Sequence, residues 1–486
     1  MMSYLEHVLE KTKNFVDSKS KAERKEYGQF FTVGTGAQFM SSMFDIDLNK
    51  GSLNILDAGA GTGILTVALV DHLLEIGYKG NINVTCYEND TKVLPVLSDN
   101  LDYVSNNVPN FKYQIIVDNF ITSEPFGGFF KGDEVYDLVI GNPPYKKIPS
   151  ESAEAQHMKE ICYGAPNLYF LFMAMSVQKL KQDGQLVYII PRSWTSGAYF
   201  EKFRKWLFAR TVIEHIHLFG SRDKVFNGES VLQETMIIKI RKTNKKPSSI
   251  KMTFSETSDF TKVTSINVDY NTIVAKNSYV YLVTNENEIE CLDSLKTFDN
   301  TLVSDGLRMK TGLIVDFRTR DVLRNDAEEP NTYPLLYSQH IKNGKIVWPV
   351  GKENEYICTD RKSYLQENTN YVLVKRFTAK EERRRLQCGI YLKKDHPNYK
   401  YISTQNKVNY ILCKEEDEAL GVYCLLNSTI YDLYYRILNG STQVNSTEIN
   451  SMPVPDKHTI LEMGKELRGN ELSTEVCDRI VSAWIN

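Results

Sequence analysis

The sequence predicts an α/β protein built on a doubly wound, Rossmann-like sheet, mostly parallel with one antiparallel strand, followed by an α+β domain. Three observations carry this. Between residues 50 and 240 short β-rich runs alternate with helix-like segments, the pattern of parallel strands joined by crossover helices. After "RKTNKKPSS" (241–249), a polar basic stretch with one proline, the alternation stops, as at a domain boundary. The length of 486 residues is enough for two or three domains. The expected division is 1–245, including a helical segment at 1–25, and 250–486.

In chain order, Leu5, Val8, Leu9, Phe15 and Val16 mark one face of an N-terminal amphipathic helix. The strand candidates are 53–58, 82–88, 113–118, 136–141, 185–191, 213–219 and 234–240. Helical patterns lie between most of them, including "ILTVALVDHLLEIG" and "NLYFLFMAMSVQKLK". A loop joins the last two strands, which allows one of them to run backwards. Beyond 250, strand-like "NSYVYLVT", "YVLVKRF" and "VNYILC" mix with helical "GVYCLLNSTIYDLYYRIL".

Hydrophobic residues make up 42% and charged residues 24%, a globular composition. No apolar run approaches the roughly 18 residues of a membrane span, and no signal core opens the chain. A cytoplasmic protein without membrane contact is expected. The eight cysteines are scattered with no Cys-x-x-Cys pair, so reduced, buried thiols are expected and no metal site is read. His215 and His217 share one face of a strand and are taken as structural. Net charge is −3, yet residues 301–410 hold 20 Lys+Arg against 13 Asp+Glu. A local basic block gives a polyanion-facing surface without a high pI.

The candidate site reads as a series of strand ends. "LNILDAGAGTGILTVALV" is a strand, a glycine turn (Gly59, Gly61, Gly63) and a helix whose N-terminus offers free N–H groups. Asp57 precedes the glycines, Glu88 ends the next strand, and Asp118 ends the one after. A carboxylate at Glu88 suits ribose hydroxyls, and one at Asp118 suits an adenine amino group, with Phe120 or a neighbour against the ring. These features suit an adenosine ligand and do not separate NAD from S-adenosylmethionine. The fourth strand ends in Gly141-Asn142-Pro143-Pro144-Tyr145. Taken alone that is a strand-terminating turn; after three strand-end acids it points to S-adenosylmethionine.

With those residues in view, the chain resembles the gamma-class DNA adenine-N6 methyltransferases of type II restriction-modification systems. "EYGQFFT" (26–32) is similar to the segment that closes over the cofactor's methionine end, "LDAGAGTG" to the glycine motif, and "YEND" and "VDNF" to the ribose and adenine motifs. Val33 departs from the family, which often has proline there. The resemblance implies cofactor contacts at Tyr27, Gln29, Phe31, Thr32, Asp57, Ala58, Gly59, Gly61, Glu88, Asn89, Asp118, Asn119 and Phe172. It implies catalysis by Asn142, Pro143 and Tyr145, with the flipped adenine stacked between Tyr145 and Phe226. The fold it implies is a methyltransferase sheet followed by a target-recognition domain.

Double-stranded DNA is then the expected partner, bound by a monomer, with a cognate restriction endonuclease as genetic partner. Arg318, Arg320, Lys375, Arg383, Arg384 and Lys407 are the candidate DNA contacts, within the stretches 307–320, 372–387 and 403–410. A solvated charged helix face is the alternative for Arg383-Arg384-Arg385. Three other functions stay open: a protein-glutamine or RNA methyltransferase, a catalytically silent DNA-binding protein, and a nicotinamide dehydrogenase, which leaves the Asn-Pro-Pro-Tyr turn unexplained.

Overall fold

The computed structural model describes residues 3–18, 20, 34–127, 135–220, 235–257, 259–379, 382–438 and 442–485. The chain divides into two compact units, Met1–Thr284 and Asn285–Asn486.

The first unit is organised by a nine-stranded sheet. Its strands are β1 (Ser52–Ala58), β2 (Asn81–Tyr87), β3 (Phe111–Ile116), β4 (Tyr136–Gly141), β5 (Leu180–Pro191), β6 (Val212–Phe219), β7 (Thr235–Arg241), β8 (Ser249–Ser255) and β9 (Val263–Asp269). The order across the sheet is β3-β2-β1-β4-β5-β7-β6-β8-β9. The first five run parallel to one another. β7 is antiparallel to both β5 and β6, the reversal expected for one of the last two strands. Every residue of β4 is buried, so both faces of the sheet are covered at that strand.

Helix α1 (Tyr4–Ser18) buries Leu5 and Val8. It packs against α3 (Ile64–Glu75) and α4 (Leu94–Asn107), while α2 (Gly34–Ser42) also packs on α3. Polar contacts help fix α1, among them Leu5 N donating to Asp71 Oδ2 (2.9 Å) and Thr12 Oγ1 to Thr62 Oγ1 (2.8 Å). His215 and His217 are indeed buried partners of Thr253, and His217 also of Ser255. All eight cysteines are free, and seven are buried.

The boundary expected at 245–250 lies instead at 284–285. The physical reason is strand pairing. β8 pairs in parallel with β6, Lys251 opposite His215, and β9 pairs with β8. Ile250 and Met252 are buried while Lys251 is exposed, so β8 is a half-buried strand of the first sheet. The basic stretch 242–248 is a connection within that sheet.

The second unit holds a six-stranded and a five-stranded sheet. In the larger, Val408–Cys413 lies between Met309–Thr311 and Asn370–Lys375, antiparallel to both. Leu336, Tyr371, Leu373, Ile402 and Val408 form one core cluster and Ile314, Leu335, Tyr337 and Ile357 another. The helix Glu416–Asn427 packs on Lys457–Leu467 through Gly421 and Gly464. A Cβ on Gly421 would stand 1.9 Å from Ile460 O, and one on Gly464 1.8 Å from Asp417 O. Only glycine permits that backbone-to-backbone approach.

Candidate active site

β1 and β4 are adjacent parallel strands with Asp57 opposite Ile140. Two residues further along each, Gly59 and Asn142 leave neighbouring strand ends. The strand order reverses between β1 and β4, since the chain runs outward to β3 and then returns. Ligands of open α/β sheets bind beyond the strand C-termini at such a reversal.

The glycine turn has a defined shape. Gly59 stands at φ 76°, where a side chain is strained. Gly59 N and Ala60 N both donate to Tyr87 O, at 2.8 and 3.0 Å. Gly61 N donates to Glu88 Oε2 at 2.8 Å, and Asp90 N donates to Glu88 Oε1 at 2.8 Å. Glu88 is therefore held by two backbone amides at the end of β2, with lone pairs left over for a ligand. Burial raises its pKa above the usual carboxylate value, partly offset by those amides.

A cleft of about 810 Å³, including its open mouth, lies over these strand ends. It brings together Gly59, Glu88, Asn89, Asp118, Asn119 and Phe172, all expected from the sequence, with Pro144 of the turn after β4. Phe120 also lines it, packed edge-on against Tyr87 (4.9 Å between centroids) and tilted against Phe172 (5.4 Å). Asp118 is exposed, and its Oδ1 accepts from Asn119 N at 2.6 Å. Asn119 Nδ2 donates to Glu154 Oε1 at 2.7 Å. Glu154, Lys146, Leu168, Tyr87 and Ile121 complete the lining. Sequence reasoning singled out none of the first three. Lys146 had one signal, its place directly after the Asn-Pro-Pro-Tyr turn.

Asp57 and Ala58, also expected at the cofactor, are fully buried and are not among the residues that line the cleft. Asp57 lies within β1, and its Oδ2 accepts from Thr66 Oγ1 of α3 at 2.7 Å. Burial pushes its pKa up to about 7. Among the described residues no hydrogen-bond partner reaches the buried Asp57 Oδ1. The residue braces the turn against the helix from below.

At the end of β4, Pro143 is buried and Asn142 half-buried. The phenolic proton of Tyr145 faces two acceptors, Asn142 Oδ1 at 2.9 Å and Ile189 O of β5 at 3.0 Å. Tyr145 is only 7% exposed, and burial raises its pKa, so the hydroxyl stays a donor. The Asn142 carboxamide is thereby oriented. Tyr27, Gln29, Phe31, Thr32 and Phe226 lie outside the described residues.

In the second unit the three basic stretches converge on the turn 405–407. Asn406 N donates to Ile314 O (2.8 Å), and Arg376 N donates to Lys407 O (3.0 Å). Arg318, Arg320, Arg383 and Lys407 are exposed. Lys375 is half-buried, with Nζ donating to Gln387 Oε1 at 2.7 Å. Arg384 is half-buried, and its Nη2 donates to Ser428 O at 3.0 Å. Arg385 is buried beside Tyr435. The triple arginine is not one solvated face.

Residues 64–226 match the family model described as Eco57I restriction-modification methylase. The chain is 33% identical to the type II methyltransferase M.BsuBI of Bacillus subtilis over 462 residues, covering 91% of this chain and 90% of the relative. It is 32% identical to the type II methyltransferase M.PstI of Providencia stuartii over 475 residues, covering 94% and 93%. Among solved structures, the type IIL restriction-modification enzyme MmeI in complex with DNA matches with a TM-score of 0.53 at 12% identity. That match covers 98% of this chain and 75% of the other.

Proposed function

Since the chain belongs to the type II DNA methyltransferases of restriction-modification systems, we propose that it methylates adenine N6 at a specific site in double-stranded DNA. The methyl donor is S-adenosylmethionine. The residues fit it: Gly59 leaves room between the turn and Phe172, Glu88 keeps lone pairs at the cleft wall, and Asp118 stands at the rim. In the proposed arrangement Glu88 accepts from the ribose hydroxyls and Asp118 from the cofactor's adenine amino group, beside Asn89, Asn119 and Phe172. Gly61 acts through its amide on Glu88, and Tyr27, Gln29, Phe31 and Thr32 cover the methionine end.

The observation that supports adenine is the turn at the end of β4, one strand over from the glycine turn. Adenine N6 is a poor nucleophile because its lone pair is delocalised into the ring. Two acceptors aimed at its two protons favour the pyramidal, nucleophilic form. Asn142 Oδ1 and the Pro143 carbonyl supply them, and proline fixes the direction of its own backbone. The cofactor supplies an electrophilic sulfonium methyl. The protein's contribution is placement and electrostatics. The target base must leave the duplex to reach this turn, and Tyr145 and Phe226 flank it there. The second unit recognises the target, with Arg318, Arg320, Lys375, Arg383 and Lys407 as phosphate or base contacts. The enzyme works as a monomer on DNA, and a cognate endonuclease is its genetic partner.

Incubation with labelled S-adenosylmethionine and plasmid DNA, followed by nucleoside analysis, tests this: label in N6-methyladenine is expected, and label in methylcytosine refutes the base assignment. Glu88→Ala is expected to weaken cofactor binding on the order of ten- to a hundredfold, from lost hydrogen bonds to a charged group. Calorimetry on the folded variant measures it, and unchanged affinity removes Glu88 from the site.

A further inference from the structure

The second unit displays its most exposed phenylalanines where its basic stretches meet. Phe317 is 68% and Phe377 51% exposed. Phe317 lies in the short turn Asp316–Arg318, and Phe377 follows the strand Asn370–Lys375. Both segments flank the turn 405–407. The Arg318 guanidinium stands 5.3 Å from the centre of the Phe317 ring, and that of Arg376 stands 5.5 Å from the Phe377 ring. Arg376 is itself fixed, since its Nη1 donates to Asn406 O at 3.0 Å. With the Gln443 carboxamide oxygen turned towards it, Arg376 also donates from Nε (3.0 Å) and Nη2 (2.7 Å).

Phenylalanine rings are ordinarily buried. Here two remain outside a well-packed core, each beside an arginine, with Lys310, Arg320 and Lys407 also exposed nearby in the chain. A protein partner favours a continuous apolar patch, whereas each of these rings stands beside a guanidinium. A nucleic acid suits both features, because its phosphates answer the cations and every base offers a π-face.

We propose that Phe317 and Phe377 are base-stacking residues that wedge at base steps of the bound duplex, with Arg318 and Arg376 bracing the rings. This rests on the reading of the second unit as the DNA-recognising part, and it adds a mode of readout. A wedge partly unstacks a step, and pyrimidine–purine steps yield most readily. Part of the sequence preference then comes from how easily the site deforms, independent of contacts to base edges.

The test uses the full-length protein. Wild type is first shown to methylate plasmid DNA, and the methylated site is mapped and placed in a labelled duplex. Anisotropy then gives the affinity across a salt series. Phe317→Ala and Phe377→Ala should each weaken binding roughly tenfold, the lower range for loss of one stacked base, with unchanged salt slope and thermal melting. Phe317→Trp should retain binding. Lys407→Ala, a phosphate-type change, should flatten the slope instead. Wild-type affinity in both alanine variants overturns the proposal, as does a loss that flattens the salt slope. So does a change from dimer to monomer on sedimentation, since the rings would then cover a second copy. Failure of the wild type to methylate DNA sinks the underlying reading. Methylation with unaffected phenylalanine variants sinks the stacking proposal alone.

Discussion

Asn142→Ala is expected to bind cofactor and DNA like the wild type and to lose on the order of 10²–10³ in turnover, the typical effect of removing one preorganised polar partner. Asn142 is one of two acceptors proposed for the N6 protons, so its contribution belongs to the transition state and appears in kcat. The variant should fold, because the Tyr145 hydroxyl keeps Ile189 O as acceptor. Single-turnover methyl transfer on DNA checks this, with cofactor and duplex affinities measured in parallel. Near-wild-type turnover would remove Asn142 from the mechanism.

The second large effect is qualitative. Replacing residues 285–486 with the corresponding segment of a relative such as M.PstI should move methylation entirely to the donor's sequence. The junction follows from strand pairing: a join at 250 would cut β8 and β9 from the first sheet, whereas 284–285 separates two compact units. Sequencing of methylated sites in plasmid DNA reads the outcome. If methylation stays at the sequence of the N-terminal parent, recognition lies in the first unit.

Much of the first unit was legible because its strands are short apolar runs between helical periods. β8 and β9 were not, since "RKTNKKPSS" has linker composition and the pairing that defines them involves β6, some 35 residues earlier. Glu88 and Asp118 were readable as cleft residues because each stands just past a strand of the parallel sheet, and Asn142 stands in the same place after β4. Asp57 falls one residue inside β1, where it is buried and bonded to Thr66, a partner that the strand pattern does not reveal. Arg383 and Arg384 are equivalent on paper. They differ because carbonyls from the helix pair near Ser428 capture only the second. Glu154 joins the cleft through Asn119, a contact across 35 residues with no local signature.

The Glu88 carboxylate carries a consequence for acid–base balance. It holds the Gly61 amide and is proposed to receive the ribose, so a proton and the methyl donor compete for it. Burial raises its pKa, and the proton therefore enters at higher pH than at an ordinary glutamate. As pH falls through that raised value, donor affinity falls and the Gly61 contact weakens together with it. Below that point, loading the donor must expel a proton. The heat of binding then includes the ionisation enthalpy of whichever buffer takes that proton up.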